Sequence, residues 1–127
     1  YYKYKAGDQF TEGGKPVNGK RDICDIYAIM YETSESVPTL DGTNAFTSPN
    51  LISTARINNA KETNEWTYFK LPFTTLPGKF IDKEKLMDGK YNIAIVFTSS
   101  LEGDRFNGAI GSTLLIDEAE LIYHSED

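Results

Sequence analysis

The stretch from Lys90 to Ser100 alternates with a period of two: Tyr91, Ile93, Ile95 and Phe97 fall on one side, and Asn92, Ala94, Val96 and Thr98 on the other. Successive side chains of an extended chain point to opposite faces, whereas a helix needs apolar recurrence every three or four residues. The pattern therefore predicts a central β-strand with the larger set turned inward. Asp22 to Glu32 reads the same way. Its even positions Cys24, Ile26, Ala28 and Met30 are uniformly apolar and are assigned to the core, and the mixed odd set Ile23, Asp25, Tyr27, Ile29 and Tyr31 to a second face. Trp66 to Phe73 sets Thr67, Phe69, Leu71 and Phe73 opposite Trp66, Tyr68 and Lys70; Pro72 has no N–H for a ladder, which predicts an edge or bulge there.

Shorter strands are expected at Tyr1 to Lys5 and Leu51 to Ile57, with a closing strand from Ser112 to Tyr123 whose alternation breaks near Asp117, as at a bulge. Gln9 to Arg21, Thr33 to Asn50 and Glu102 to Gly111 read as loops by their Gly, Pro and Asn content. Lys79 to Leu86 fits either a short strand or one helical turn. About six strands with long connections, and no sustained helical periodicity, point to an all-β fold: an antiparallel β-sandwich of jelly-roll type. A full jelly roll has about eight strands, and the chain opens directly on a strand pattern. The expectation is one domain over residues 1–127 that forms the C-terminal part of a larger domain or protein. By itself such a piece would show a raw sheet edge and an incompletely covered core.

Composition narrows the partners. The net charge of −6 and pI near 4.8 disfavour nucleic acid and anionic lipid headgroups, while neutral sugars stay open. No apolar run approaches the length of a transmembrane segment; no signal peptide is read in these residues, and whatever precedes Tyr1 is expected to have been cleaved, truncated or left out. The lone cysteine, Cys24, excludes an internal disulfide. It lies in an apolar strand pattern near Asp22 and Asp25, without a basic neighbour to activate it, and reads as a small buried hydrophobe. The single histidine, His124, leaves no His-based metal site and no Ser-His-Asp or Cys-His pair. Gly13-Gly14-Lys15 precedes a strand rather than a helix and is not a phosphate loop.

Carboxylates that a glycoside-cleaving site could use are Asp25, Glu102, Asp104, Asp117 and Glu118, with turn formation as the plain alternative for those in loops. Asp117 is a candidate ligand for a structural calcium ion, against the simpler role of a bulge carboxylate capping backbone amides; no other cofactor is expected. Sugar binding asks for aromatic faces edged by polar groups. Tyr27 and Tyr31 with Asp25, Tyr2 and Tyr4 with Lys3 and Lys5, and Trp66 with Tyr68 each fit that description, and each fits ordinary cross-strand packing. From these, Asp25, Tyr27, Tyr31, Lys3 and Asp104 are the candidate ligand-binding residues.

Several segments carry a family resemblance. Tyr2-Lys3-Tyr4-Lys5-Ala6-Gly7, Asp22-Ile23-Cys24-Asp25-Ile26-Tyr27-Ala28, and Glu65-Trp66-Thr67 with Leu71-Pro72-Phe73 are part of it. Its most specific part runs from Ser99-Ser100 through Gly103-Asp104, Phe106 and Gly108-Ala109 to Gly111-Ser112-Thr113-Leu114 and Ile116-Asp117. Together these resemble the putative carbohydrate metabolism domain of Bacteroides-type surface proteins, over nearly the whole chain. The resemblance implies a jelly roll similar to carbohydrate-binding modules, on a secreted or lipid-anchored, outer-membrane surface protein, in a domain about twice this length whose C-terminal half the chain matches. By position it brings Asp25, Tyr27 and Asp104 nearest a cleft, and it transfers no catalytic residues. The leading expectation is a non-catalytic module that binds a glycan or polysaccharide. A structural or adhesive subunit of a surface assembly, completed by another surface protein or by the absent N-terminal half, is the second. A glycoside hydrolase-like enzyme is the third.

Overall fold

The computed structural model describes residues 1–35, 40 and 45–122, with His124 outside them. In chain order the elements are β1 (Tyr2–Lys5), β2 (Phe10–Glu12), β3 (Lys15–Pro16), β4 (Asp25–Glu32), β5 (Leu51–Arg56), β6 (Thr63–Thr67), β7 (Thr74–Thr75), the helical turn α1 (Lys83–Met87), β8 (Tyr91–Thr98), β9 (Gly108–Ala109) and β10 (Thr113–Ile116). Among the described residues they make three antiparallel sheets, ordered β10-β1-β6, β3-β2-β9 and β7-β5-β4-β8. The fold is an all-β sandwich. No helix among the described residues is long and apolar enough to cross a membrane.

The first sheet turns Tyr2 and Tyr4 to one side, opposite Ile116 and Leu114 on β10. Their rings meet Cys24, Ile26 and Ile57, with Phe69 and Leu71 packed alongside, to form one core cluster. Side chains of this size contribute about 1.5–3 kcal/mol each on full burial, so this contact helps to hold the two sheets together. Cys24 is buried in it, as expected. Burial pushes its thiol up to about 11 and the Tyr4 phenol up to about 12, because the uncharged forms suit an apolar site. The Tyr4 hydroxyl donates to the Ser99 carbonyl at 2.7 Å, which satisfies it there.

The second cluster lies on the opposite face of the four-stranded sheet. Tyr27, Ile29, Tyr31 and Leu51 are covered there by Leu40 and Ala45 from the connection before β5, with Ala94 and Val96 from β8. Two expectations need correction here. The odd set of β4 was assigned to a mixed second face, yet Asp25, Tyr27, Ile29 and Tyr31 are all buried, while Met30 of the even set is only half-buried. The large set of β8 was expected to face inward, and β8 to be central. Instead β8 borders its sheet among the described strands, Ala94 and Val96 take the packed side, and Ile93, Ile95 and Phe97 are 38%, 50% and 40% exposed. Alternation reveals that a strand has two faces; the register against β4 and the path of the covering connection decide which face is filled.

The polar segment read as a loop at Gln9 to Arg21 holds a hairpin. Gly13 and Gly14 have φ of +57° and +86° between the paired residues Glu12 and Lys15, the conformation a two-residue hairpin turn requires and which glycine adopts without strain. The ambiguous segment near Lys79 resolves as a helical turn, with Asp82 Oδ1 accepting from the Glu84 and Lys85 amides at 2.8 and 3.3 Å. At the closing strand the ladder has no register shift; Glu118, at φ +52°, turns the chain away after Asp117, so a bend stands where a bulge was expected.

Candidate functional site

The β4–β8 and β4–β5 registers put Asp25 beside Thr98, and Tyr27 between Arg56 and Val96, all on one face. Arg56 ends β5, one diagonal step from Asp25. Its Nη2 donates to Asp25 Oδ2 at 2.7 Å and its Nε to Oδ1 at 3.2 Å, a two-pronged pair. The Asp25 side chain is 4% exposed and that of Arg56 42%, so the guanidinium compensates a carboxylate taken out of water while remaining itself within reach of solvent. Phe46 and Tyr27 hold it in place: their ring centroids lie 4.4 and 5.7 Å from the guanidinium, and the two rings meet edge to face at 4.9 Å.

Above this floor opens a cavity of about 470 Å³. Asp25, Tyr27, Phe46, Arg56 and Thr98 line it together with the loop Leu101–Arg105. That loop is shaped by a buried carboxylate beneath it. Asp22 is 4% exposed. Its Oδ2 accepts from Ser100 Oγ at 2.5 Å, Ser112 Oγ at 2.7 Å and the Ala109 amide at 3.0 Å, and its Oδ1 from the Ile23 amide at 2.9 Å. Ser112 Oγ in turn accepts from the Gly7 amide at 3.0 Å. One carboxylate therefore ties the ends of the 99–113 segment to the residues just after β1 and to the approach to β4. Gly108 has to be glycine at this hub: a Cβ there would sit 2.7 Å from Ser100 Oγ and 3.2 Å from Asp22 Oδ2. Between the anchors, Gly103–Arg105 makes a short helical turn that Phe106 closes at φ +59°.

Of the five candidate ligand residues, Asp25, Tyr27 and Asp104 come together in this cavity. Tyr31 lies on the same face of β4 but is buried against Leu40, Ala45 and Leu51. Lys3 is on the outer side of the first sheet, its Nζ 4.7 Å above the Trp66 ring, and Tyr68 is exposed in contact with Tyr1. Of the candidate carboxylates, Asp25, Glu102 and Asp104 line the cavity, while Asp117 and Glu118 do not. Asp117 continues the β10 ladder by backbone bonds to Tyr1, and the described residues contain no group of three or more His, Cys, Asp or Glu placed to hold a metal ion. Arg56 and Phe46 escaped the sequence reading. An arginine closing an apolar strand run was a usable signal for the first; Phe46 stands in a polar connection and gave none.

The comparisons agree with this architecture. The chain is similar to a crystal structure described as a putative glycoside hydrolase from Bacteroides thetaiotaomicron vpi-5482, with 87% identity and a TM-score of 0.97 over 99% of this chain. It is also similar to one described in the same words from Bacteroides vulgatus ATCC 8482, with 47% identity and a TM-score of 0.88 over 96% of this chain. The matched region is 37% and 49% of those two chains, so these residues span roughly a third to a half of the proteins they match. No curated protein matches. The segments that converge on the Asp22 hub, from Gly7 through Ser100 and Gly108 to Ser112, belong to a pattern that a family model recognises over residues 1–122, and the chain is a member of the putative carbohydrate metabolism domain family.

Proposed function

We propose that residues 1–127 form a β-sandwich domain within a larger extracytoplasmic protein, secreted or anchored at the outer-membrane surface, and that the cleft above Asp25 and Arg56 binds a glycan without cleaving it. Family membership supports a carbohydrate-related role. The observation that carries the reading is the Asp25–Arg56 pair held against Tyr27 and Phe46. A sugar offers hydroxyls that need fixed donors and acceptors, and a C–H face that packs on an aromatic ring. Here both kinds of group are held by the scaffold before a ligand arrives, which lowers the ordering cost of binding. The guanidinium has five N–H groups and uses two on Asp25.

Titration calorimetry of the intact protein against a broad panel of neutral and acidic polysaccharides tests this. Phe46→Ala and Asp104→Ala, both at the cleft wall, should each weaken binding about tenfold, the scale of one lost aromatic or charge-assisted contact. No binding across the panel, or binding indifferent to both variants, refutes the reading. A hydrolase is the second reading, favoured by the three carboxylates Asp25, Glu102 and Asp104 around one cavity and by the descriptions of the two similar structures. Release of reducing ends from the same panel distinguishes it. Turnover that survives Asp25→Asn and Asp104→Asn would remove those two carboxylates from any such mechanism.

A further inference from the structure

Strand β8 is eight residues long, Tyr91 to Thr98, and contains no charged residue and no proline. It pairs with β4 along its whole length without a register shift, and no described strand lies on its other side. Sheet borders are normally blunted by shortness, charge, proline or a bulge, because an open row of backbone groups recruits other chains. The opposite border of the same sheet follows that rule, since β7 is two residues long between Pro72 and Pro77. β8 follows none of it. Its exposed side chains Ile93, Ile95 and Phe97 form an apolar strip, with half-buried Met30 beside Ile93. The same face is closed over β5, where Ser53 and Ala55 are buried, so the gap is confined to the β8 margin. An open ladder bordered by apolar side chains is built like the interior of a sheet.

We infer that an extended segment of the same protein, outside residues 1–127, pairs with the free side of β8 and lays apolar side chains over Ile93, Ile95 and Phe97. The two similar structures belong to chains of which the matched region is 37% and 49%, so proteins of this kind carry ample chain for the task. A second copy fits less well. Antiparallel pairing of β8 with itself would satisfy the backbone but keep both strips on one face, doubling the uncovered apolar surface. The cleft residues Val96 and Thr98 lie on the other face of β8, so the added segment leaves the cleft open, and this inference stands or falls separately from the glycan reading.

Maleimide labelling of the intact natural protein tests it, using Ile95→Cys and, as an exposed control, Ile110→Cys at a side chain that is 95% exposed. Native Cys24 is buried and gives a low background. Labelling of Ile95→Cys about 100-fold slower than the control, in protein that light scattering shows to be monomeric, is the expected result. Equal rates in a folded monomer overturn the inference. So does protection that appears only as the protein dimerises, which assigns the strip to a second copy. Hydrogen exchange on the unmodified protein covers a variant that fails to fold: amides of Tyr91–Thr98 that do not bond to β4 exchange slowly if a strand is added there, and rapid exchange refutes it.

Discussion

Asp22 should be worth more to this fold than any other carboxylate among the described residues, although it lines no cleft. Asp22→Ala removes an acceptor of four hydrogen bonds. Bonds to a charged acceptor are worth about 1.5–3 kcal/mol each when nothing replaces them. Replacement is available for some: Ser100 and Ser112 are half-buried, so their hydroxyls can rotate towards water, whereas the Ala109 amide is buried and has nowhere to turn. One stranded amide and three weakened bonds, those of the two hydroxyls and of the half-buried Ile23 amide, put the loss at about 3–5 kcal/mol. Asp22→Asn separates charge from shape. Its amide group keeps one oxygen, but in either orientation its NH₂ faces a backbone N–H, that of Ala109 or that of Ile23, so a loss of about 1–3 kcal/mol remains. Equilibrium urea denaturation gives both values, with Asp104→Ala as a surface control expected within about 0.5 kcal/mol of wild type. An Asp22→Ala variant less than about 1 kcal/mol below wild type would refute the hub and return the 99–113 segment to the status of an ordinary loop.

Glycine substitutions probe the same region from the backbone side. Gly7→Ala places a Cβ 2.1 Å from the Ile110 carbonyl oxygen and Gly108→Ala one 2.7 Å from Ser100 Oγ; each should destabilise by about 1–3 kcal/mol, Gly7→Ala more because its obstacle is backbone, and unchanged urea midpoints would contradict this. Arg56→Gln leaves Asp25 without its cation but lets water in through a half-exposed position, so about 2 kcal/mol should be lost, and much less than the sum when combined with Asp25→Asn; additive losses would show that the pair is not coupled. Alkaline pH should weaken the fold. Cys24 and Tyr4 hold their protons more tightly folded than unfolded, so their contribution is full below about pH 9 and 10 respectively, and is lost as pH rises towards about 11 and 12. A urea midpoint that stays flat from pH 8 to 12 would contradict both assignments.

Two long strands were legible because extended chain writes its period into the side chains, whereas Trp66 to Phe73, expected as a strand on the same ground, is strand only at Trp66 and Thr67, where β6 ends. The alternations at Asp22–Glu32 and Lys90–Ser100 located β4 and β8 to within a few residues. The hairpin at Gly13-Gly14 was missed because its strands are two and three residues long and mostly polar, too short for a period to register. For the cleft, Asp25, Tyr27 and Asp104 were identified, two of them one alternation apart on a strand and the third carried by a family pattern. Arg56 and Phe46 were not, since a diagonal ion pair between β4 and β5 exists only once the two strands have a register. The most specific stretch of sequence, from Ser99 to Asp117, was read as a mark of family; folded, it shows why those residues are needed, because Ser100, Gly108 and Ser112 close around Asp22.

By itself the sequence determined that this is an acidic all-β chain of two-faced strands whose lone cysteine can form no internal disulfide. Those properties follow from local alternation and composition. Only the tertiary structure decided which face of each strand is filled. Tyr31 became core and Ile95 became surface because the connection carrying Leu40 and Ala45 crosses one side of the sheet and nothing described crosses the β8 margin of the other. A strand's pattern is a property of neighbours along the chain, whereas burial depends on what arrives from far away in it.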